Sequence, residues 1–203
     1  MRFTSEPENG ITRILTEPSE PAASLAELKS LLRIDSADED SYLAGLLLTA
    51  SSYAARVLNR TLITSDLVRQ YDEPRGLRGL AYEYKESNGL SLTYPPIVEV
   101  TRVYTIDRDG VEDDIEGYYT DLISAPARLY LTQSATGRDI ATLRIEYTAG
   151  YGDTASTVPS AIQQGILQHA AFMYEHRGDC DARDAIERSG AMATYRPYRV
   201  VTV

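Results

Sequence analysis

Between residues 37 and 60 the chain repeats its apolar residues with the period of an α-helix, and this stretch constrains the fold more than any other. Tyr42, Leu43, Leu46, Leu47, Ala50, Tyr53, Ala54, Val57 and Leu58 fall at i, i+3, i+4 and i+7, a spacing that gathers them onto one helical face. Asp38, Glu39 and Asp40 occupy the predicted first turn, and Arg56 and Arg60 the last turns, as the helix dipole favours. Ser36 and Glu39 have the S-x-x-E spacing of a capping box, in which hydroxyl and carboxylate each satisfy a free amide. Ser24 and Glu27 repeat that spacing and predict a shorter helix to about Arg33, with Leu25, Leu28, Leu31 and Leu32 on one face. Two helices with a short joint make a helical hairpin over residues 24–62.

From about residue 63 to 155 the character changes. Tyr, Val, Thr and Ile dominate, and turn signals recur at Glu73-Pro74, Asn88-Gly89, Pro95-Pro96, Asp109-Gly110, Gly117, Pro126 and Gly137. Over 141–148, Leu143, Ile145 and Tyr147 alternate with Arg144, Glu146 and Thr148, the period-2 pattern of a strand with one buried face. Segments 66–72, 97–106 and 127–132 also read as strands, with Asp107 to Gly110 as a hairpin turn. Five or six antiparallel strands are expected, and no alternating βαβ pattern is present. The segment 156–180 reads as a third long helix that begins after Thr157-Val158 with Pro159 in its first position, with Ile162, Ile166, Ala170, Met173 and Tyr174 on one face and Arg177-Gly178 as its stop. The expected class is therefore α+β: a small α-helical bundle with an antiparallel β unit inserted between its second and third long helices. Residues 1–23, with Pro7, Pro18 and Pro21 and only a short apolar group, read as an arm outside the core. Residues 181–203 read as a C-terminal tail that is locally cationic and ends in an extended segment.

Charge and composition narrow the function. Twenty Lys and Arg against thirty Asp and Glu give a formal net charge of -10, which argues against broad binding to a phosphate backbone. One cysteine excludes an internal disulfide framework and a multi-cysteine zinc site. No uncharged apolar run reaches the roughly 18 residues of a membrane span, and Met1 to Gly10 lacks the apolar run of a signal peptide. The sequence contains neither a nucleophile elbow nor a zinc-protease helix, phosphate loop or dinucleotide fingerprint. A calcium loop beginning at Asp107 fails because Glu112 stands where a glycine is required. His169 and His176 are two turns apart, about 10 Å by helical rise and too far for one zinc; they read as a half-buried and a surface histidine. Cys180 lies between Asp179 and Asp181, a setting that opposes thiolate formation. No cofactor and no catalytic residue is expected.

Four stretches in order carry a resemblance. They are Ser24 to Asp35 with the Asp38-Glu39-Asp40 run, Ala50 to Leu62, Ile145 to Gly152 with Val158-Pro159 and the helix to Arg177, and Tyr195-Arg196-Pro197-Tyr198-Arg199. Together they resemble the head–tail connector, or adaptor, proteins of tailed bacteriophages and phage-like gene transfer particles, in a long form with a β-rich insert. The resemblance implies a virion structural protein of the neck, in the host cytoplasm before assembly. It implies a ring of about twelve copies below the portal, a closed heterologous assembly, with a C-terminal segment docked on the portal and further neck, stopper or tail proteins as partners. On that reading Tyr195, Arg196, Tyr198 and Arg199 form the portal contact and Pro197 keeps the tail extended; alternatively, the tail packs on its own subunit as an edge strand. Double-stranded DNA would pass through the ring unbound, with Asp107, Asp109, Glu112, Asp113, Asp114 and Glu116 as lumen-facing acids. No membrane partner is expected. The competing functions are an acidic interaction module, a chaperone or inhibitor using the Tyr-rich β unit, and a carboxylate-dependent hydrolase.

Overall fold

The computed structural model describes residues 10–72, 89–132, 140–178 and 181–200. These divide into two compact units, one from Met1–Glu17 with Ser65–Ala149, the other from Pro18–Thr64 with Gly150–Val203. The α+β class is as expected.

In the helical unit, α1 spans Leu25–Leu32 and α2 spans Asp40–Leu58. Helix α3 spans Ser160–Glu175, α4 Ala182–Arg188 and α5 Ala191–Tyr195, followed by a 3-10 turn at Arg196–Tyr198. The periodic face of α2 is the buried one: Leu43, Leu47, Ala50, Ala54 and Leu58 join Leu28 of α1 and Ile162, Ile166, Ala170 and Met173 of α3 in one core. Burial of each such leucine stabilises the unit by about 1.5–3 kcal/mol. Arg33 and Asn59 end α1 and α2 in the left-handed region, at φ 58° and 56°, and their amides return to carbonyls of the last turn. Neither capping box forms as read. Ser24 stands at the N-cap of α1 without a side-chain cap bond, and Glu39 stands at the N-cap of α2, three residues later in the motif than a cap belongs. Leu31 and Tyr42, both expected inward, are exposed.

The second unit has two antiparallel sheets. Strands β1 (Ile11–Ile14), β2 (Ser65–Asp72), β8 (Ile140–Ala149), β4 (Ile97–Asp107) and β5 (Glu112–Asp114) form one sheet in that order. Strands β3 (Leu90–Leu92), β7 (Ala127–Leu131) and β6 (Tyr118–Asp121) form the other. Alternation decides which side chains meet: Leu67, Tyr71, Val103, Leu143, Ile145 and Tyr147 of the first sheet share a core with Leu90, Leu92, Ala127, Leu129 and Leu131 of the second. Gly117 and the strands at 66–72, 97–106, 127–132 and 141–148 fall where the sequence places them, whereas Glu73-Pro74, Asn88 and Gly137 lie outside the described residues.

The arm over residues 1–23 is corrected where it is described. Ile11–Ile14 is the edge strand β1, antiparallel to β2 with Ile11 opposite Gln70 and Ile14 opposite Leu67. Ala22 and Ala23 are buried in the helical core. A buried guanidinium anchors the strand: Arg69 Nε donates to Tyr71 Oη at 2.7 Å, and its Nη1 donates to Thr12 Oγ1 of β1 and Thr93 Oγ1 at 3.2 and 3.1 Å. Gly10 passes directly over this group, leaving no room for a Cβ beside Tyr71 and Arg69.

Candidate protein interface

The cationic C-terminal segment is built on α3. Asp181 caps α4 by accepting from the amides of Arg183 and Asp184 at 2.9 and 2.8 Å. His169, wholly buried, faces Ala182 at the start of α4, its Nε2 lying 2.7 Å from the Ala182 carbonyl. A carbonyl only accepts, so Nε2 carries the proton and Nδ1 is the bare nitrogen of a neutral ring. The edge of Tyr53 from α2 packs against that ring, 5.9 Å between centroids. Tyr195 closes the arrangement from α5: it is 1% exposed, and its ring lies against the Cα of Gly165 on α3. Downstream, Arg60 Nε donates to the Tyr198 carbonyl at 2.6 Å and the Val200 amide donates to the Leu58 carbonyl at 2.9 Å. The second bond satisfies a carbonyl that the end of α2 leaves open.

The five residues read as a portal contact thus separate into two groups. Tyr195 is corrected to a core residue, since amphipathic tyrosine serves equally well inside when its ring fills a slot. Arg196, Pro197 and Arg199 are exposed and Tyr198 is half-buried. Pro197 lies in a 3-10 turn rather than an extended tail, because its fixed φ also suits the first turn of a helix. Over the described residues 181–200 the tail is neither an extended segment nor an edge strand: it folds back as α4, α5 and a turn on its own helical unit.

Burial lowers the pKa of His169, the backbone bond to Ala182 opposing it only in part. The unfolded histidine titrates near 6.5, so above that pH both states are neutral and the contribution is complete. Below it the unfolded chain takes a proton that the folded chain refuses, and stability falls until the pH reaches the depressed folded value. Unfolding followed by circular dichroism is expected to show a loss approaching 1.4 kcal/mol per pH unit below about 6.5 from this residue. That slope should flatten in His169→Gln; an unchanged slope would assign the acid sensitivity to other groups.

Glu39, at the other end of α3, accepts from Tyr174 Oη and from Arg177 Nη2, the latter at 2.8 Å. Arg177 lies over the rings of Tyr174 and Tyr42 at 4.1 and 4.7 Å. Hydrogen bonding from Tyr174, then from Arg177, holds the Glu39 carboxyl below the usual carboxylate range. These contacts tie the start of α2 to the end of α3.

The six acids read as lumen-facing lie on the β4–β5 hairpin, with Glu116 two residues beyond its end. Asp107 shapes the turn, its Oδ1 accepting from the amides of Asp109 and Val111 at 2.9 and 2.8 Å. Glu112 and Asp114 flank Arg102, at 2.9 and 2.7 Å, while that guanidinium lies 4.0 Å over Tyr104. Asp109, Asp113 and Glu116 are exposed. Among the described residues no group of three His, Cys, Asp or Glu is placed to hold a metal ion. Cys180 lies outside the described residues. His176 is half-buried and stacks on Phe172 rather than standing free.

The helical and antiparallel β parts define an α+β protein, and residues 22–91 match the family model of the Phage gp6-like head-tail connector protein. The resemblance drawn from the sequence is met over that segment. Among solved structures, a chain of the virion of a native gene transfer agent particle has the same fold, with 23% identity, a TM-score of 0.73, and coverage of 95% of this chain and 97% of that one. A chain from the neck of an empty gene transfer agent particle, computed with C6 symmetry, matches with the same identity, coverage and TM-score. A chain from the neck of a native particle, computed with C12 symmetry, matches at TM-score 0.63 with the same identity and coverage. No curated protein matches.

Proposed function

We propose that this chain is a non-enzymatic head–tail connector in the neck of a virion or virus-like particle, where copies form a ring below the portal. The observation that carries this reading is the connector match over residues 22–91 together with a common fold along 95% of the chain with chains of gene transfer agent particles. The ring joins the DNA-filled head to further neck or tail proteins. Arg196, Pro197, Tyr198 and Arg199 face the portal, presented by a segment whose root is the buried Tyr195. That division of labour fits an interface: arginine and tyrosine make planar, hydrogen-bonding contacts, and a packed root spares the entropy of ordering a free tail. Duplex DNA passes through without specific binding, and the acids at Asp107, Asp109, Glu112, Asp113, Asp114 and Glu116 supply repulsion where they line the passage.

Charge reversal tests the docking segment. Arg196→Glu with Arg199→Glu changes two exposed side chains and should leave the unfolding temperature unchanged. Binding to purified portal is expected to weaken by about 100-fold or more, since like charges set against a complementary surface each cost on the order of a kcal/mol or more. Wild-type affinity in this variant would remove the segment from the portal contact. Reconstruction of the intact neck tests the reading as a whole, because it either contains this chain or does not.

A further inference from the structure

The β6–β7 connection ends in an isoleucine held out to solvent. Ile123 is 98% exposed, while its neighbour Leu122 packs against the β core. The tip has a fixed shape. Asp121 accepts from the amides of Ile123 and Ser124, both at 3.1 Å, and from the Ser124 hydroxyl. A carboxylate is thus committed to holding an apolar side chain in water, where nothing in the unit's own core uses it. Preorganisation of this kind lowers the entropy lost when a knob enters a partner.

The same unit carries a matching surface on another strand. Pairing with β2 puts Ile11 and Arg13 on the face of β1 opposite Thr12, whose hydroxyl points to the buried Arg69, and Leu15 follows directly, its amide donating to the Asp66 carbonyl at 2.8 Å. Ile11 and Leu15 are each 56% exposed. Arg13 is exposed between them and makes no ion pair among the described residues. The strip is therefore apolar, cationic, apolar; the tip presents an apolar knob beside the Asp121 carboxylate. A closed ring needs two different, mutually complementary faces on one chain, and like-with-like contacts here would oppose Arg13 to Arg13 or Asp121 to Asp121.

We infer that the Asp121–Ile123 tip of one copy seats on the Ile11–Arg13–Leu15 strip of the next copy, as a head-to-tail contact between subunits. This rests on the ring reading above and adds the residues of a lateral contact. Ile123 supplies burial between Ile11 and Leu15, and Arg13 meets the negative charge at Asp121. The contact draws no residue from the acidic hairpin or from the cationic C-terminal segment.

The test uses the full chain in particles that carry it. Cys180→Ser removes the native thiol, and Ile123→Cys with Leu15→Cys places one thiol on each half of the contact. Treatment of isolated necks with a short bis-maleimide should give a ladder of covalent multiples on a denaturing gel. Neither Ile123→Cys nor Leu15→Cys alone should give one. Necks that contain the chain but yield no ladder would overturn the contact while leaving the connector reading intact, as would dimers from a single variant. Necks that lack the chain would overturn the connector reading, and the contact with it. As a second measurement, Ile123→Ser should keep the wild-type unfolding temperature, because the side chain is already in water, while the yield of tailed particles falls. An unchanged yield counts against the contact.

Discussion

Gly150→Ala is expected to destabilise the protein by about 3 kcal/mol or more, through backbone strain and overpacking acting together. Gly150 has a φ of +139°, and a Cβ there would lie 2.6 Å from the Cα and N of Thr64 and 2.8 Å from the carbonyl carbon of Ile63. All three atoms belong to backbone, so no side-chain rotation can relieve the clash. The backbone cannot withdraw freely either. Thr64 donates to the Gly152 carbonyl at 3.0 Å, Tyr151 donates to the Leu62 carbonyl at 3.1 Å, and Leu62 and Ile63 are buried in the helical core. Relief therefore requires loss of hydrogen bonds or of packing. Gly178→Ala is the matched control: its φ is +85°, but a Cβ meets nothing within 4 Å, so only the conformational cost of about 1 kcal/mol remains. Urea unfolding of both variants separates the two contributions. Equal losses would show that the contact with Thr64 is not limiting.

Gly165→Leu is expected to expel Tyr195 and release α5, with loss of about 3–5 kcal/mol, as when a buried aromatic leaves its slot. Glycine inside a helix ordinarily costs about 1 kcal/mol relative to alanine, so a larger residue on an isolated α3 would strengthen it. Here a Cβ would come within 2.4 Å of Tyr195 Cε1 and 2.6 Å of Thr194 Oγ1, and the Tyr195 ring has no exposed route by which to move aside. Arg196 and Arg199 would lose their fixed presentation along with α5. Limited proteolysis should cut the variant beyond α4 while α1 to α3 persist, and portal binding should fall with it. A variant that melts like wild type and resists cleavage would show that α5 does not depend on the Gly165–Tyr195 contact.

The sequence was most legible where one side-chain period ran long enough to identify itself. Helix α2 and strands β2, β7 and β8 fall within a few residues of their expected bounds because each has a regularly repeating buried face, and β4 does so through its length and β-branched content although bulges interrupt its alternation. Strand β1 is not legible in the sequence, since four residues, Ile11 to Ile14, give too few alternations to stand out among Pro7, Pro18 and Pro21. Five-residue α5 is shorter than two helical turns and has no readable period. Tyr195 and Tyr198 look alike in sequence, yet one is buried and the other half-exposed. Gly165 held the missing signal, because glycine in the middle of an apolar helical stretch marks close approach of another element. The acidic run was legible as a turn and hairpin, whereas the neutralisation of Glu112 and Asp114 by Arg102 depends on strand register that composition does not encode.

The early position of β1 bears on how the sheet is made during synthesis. Strand β2 is complete once Asp72 has left the ribosome, but its other neighbour, β8, ends at Ala149. At about 5–20 residues per second, β2 waits roughly 4–15 s for that partner. Strand β1 is already available throughout the interval and pairs with β2 from Ile11 opposite Gln70 to Ile14 opposite Leu67. Formed in that interval, the same pairing would leave β2 one bare edge instead of two, and a strand contributed from ahead of the helices would limit pairing between chains still being made.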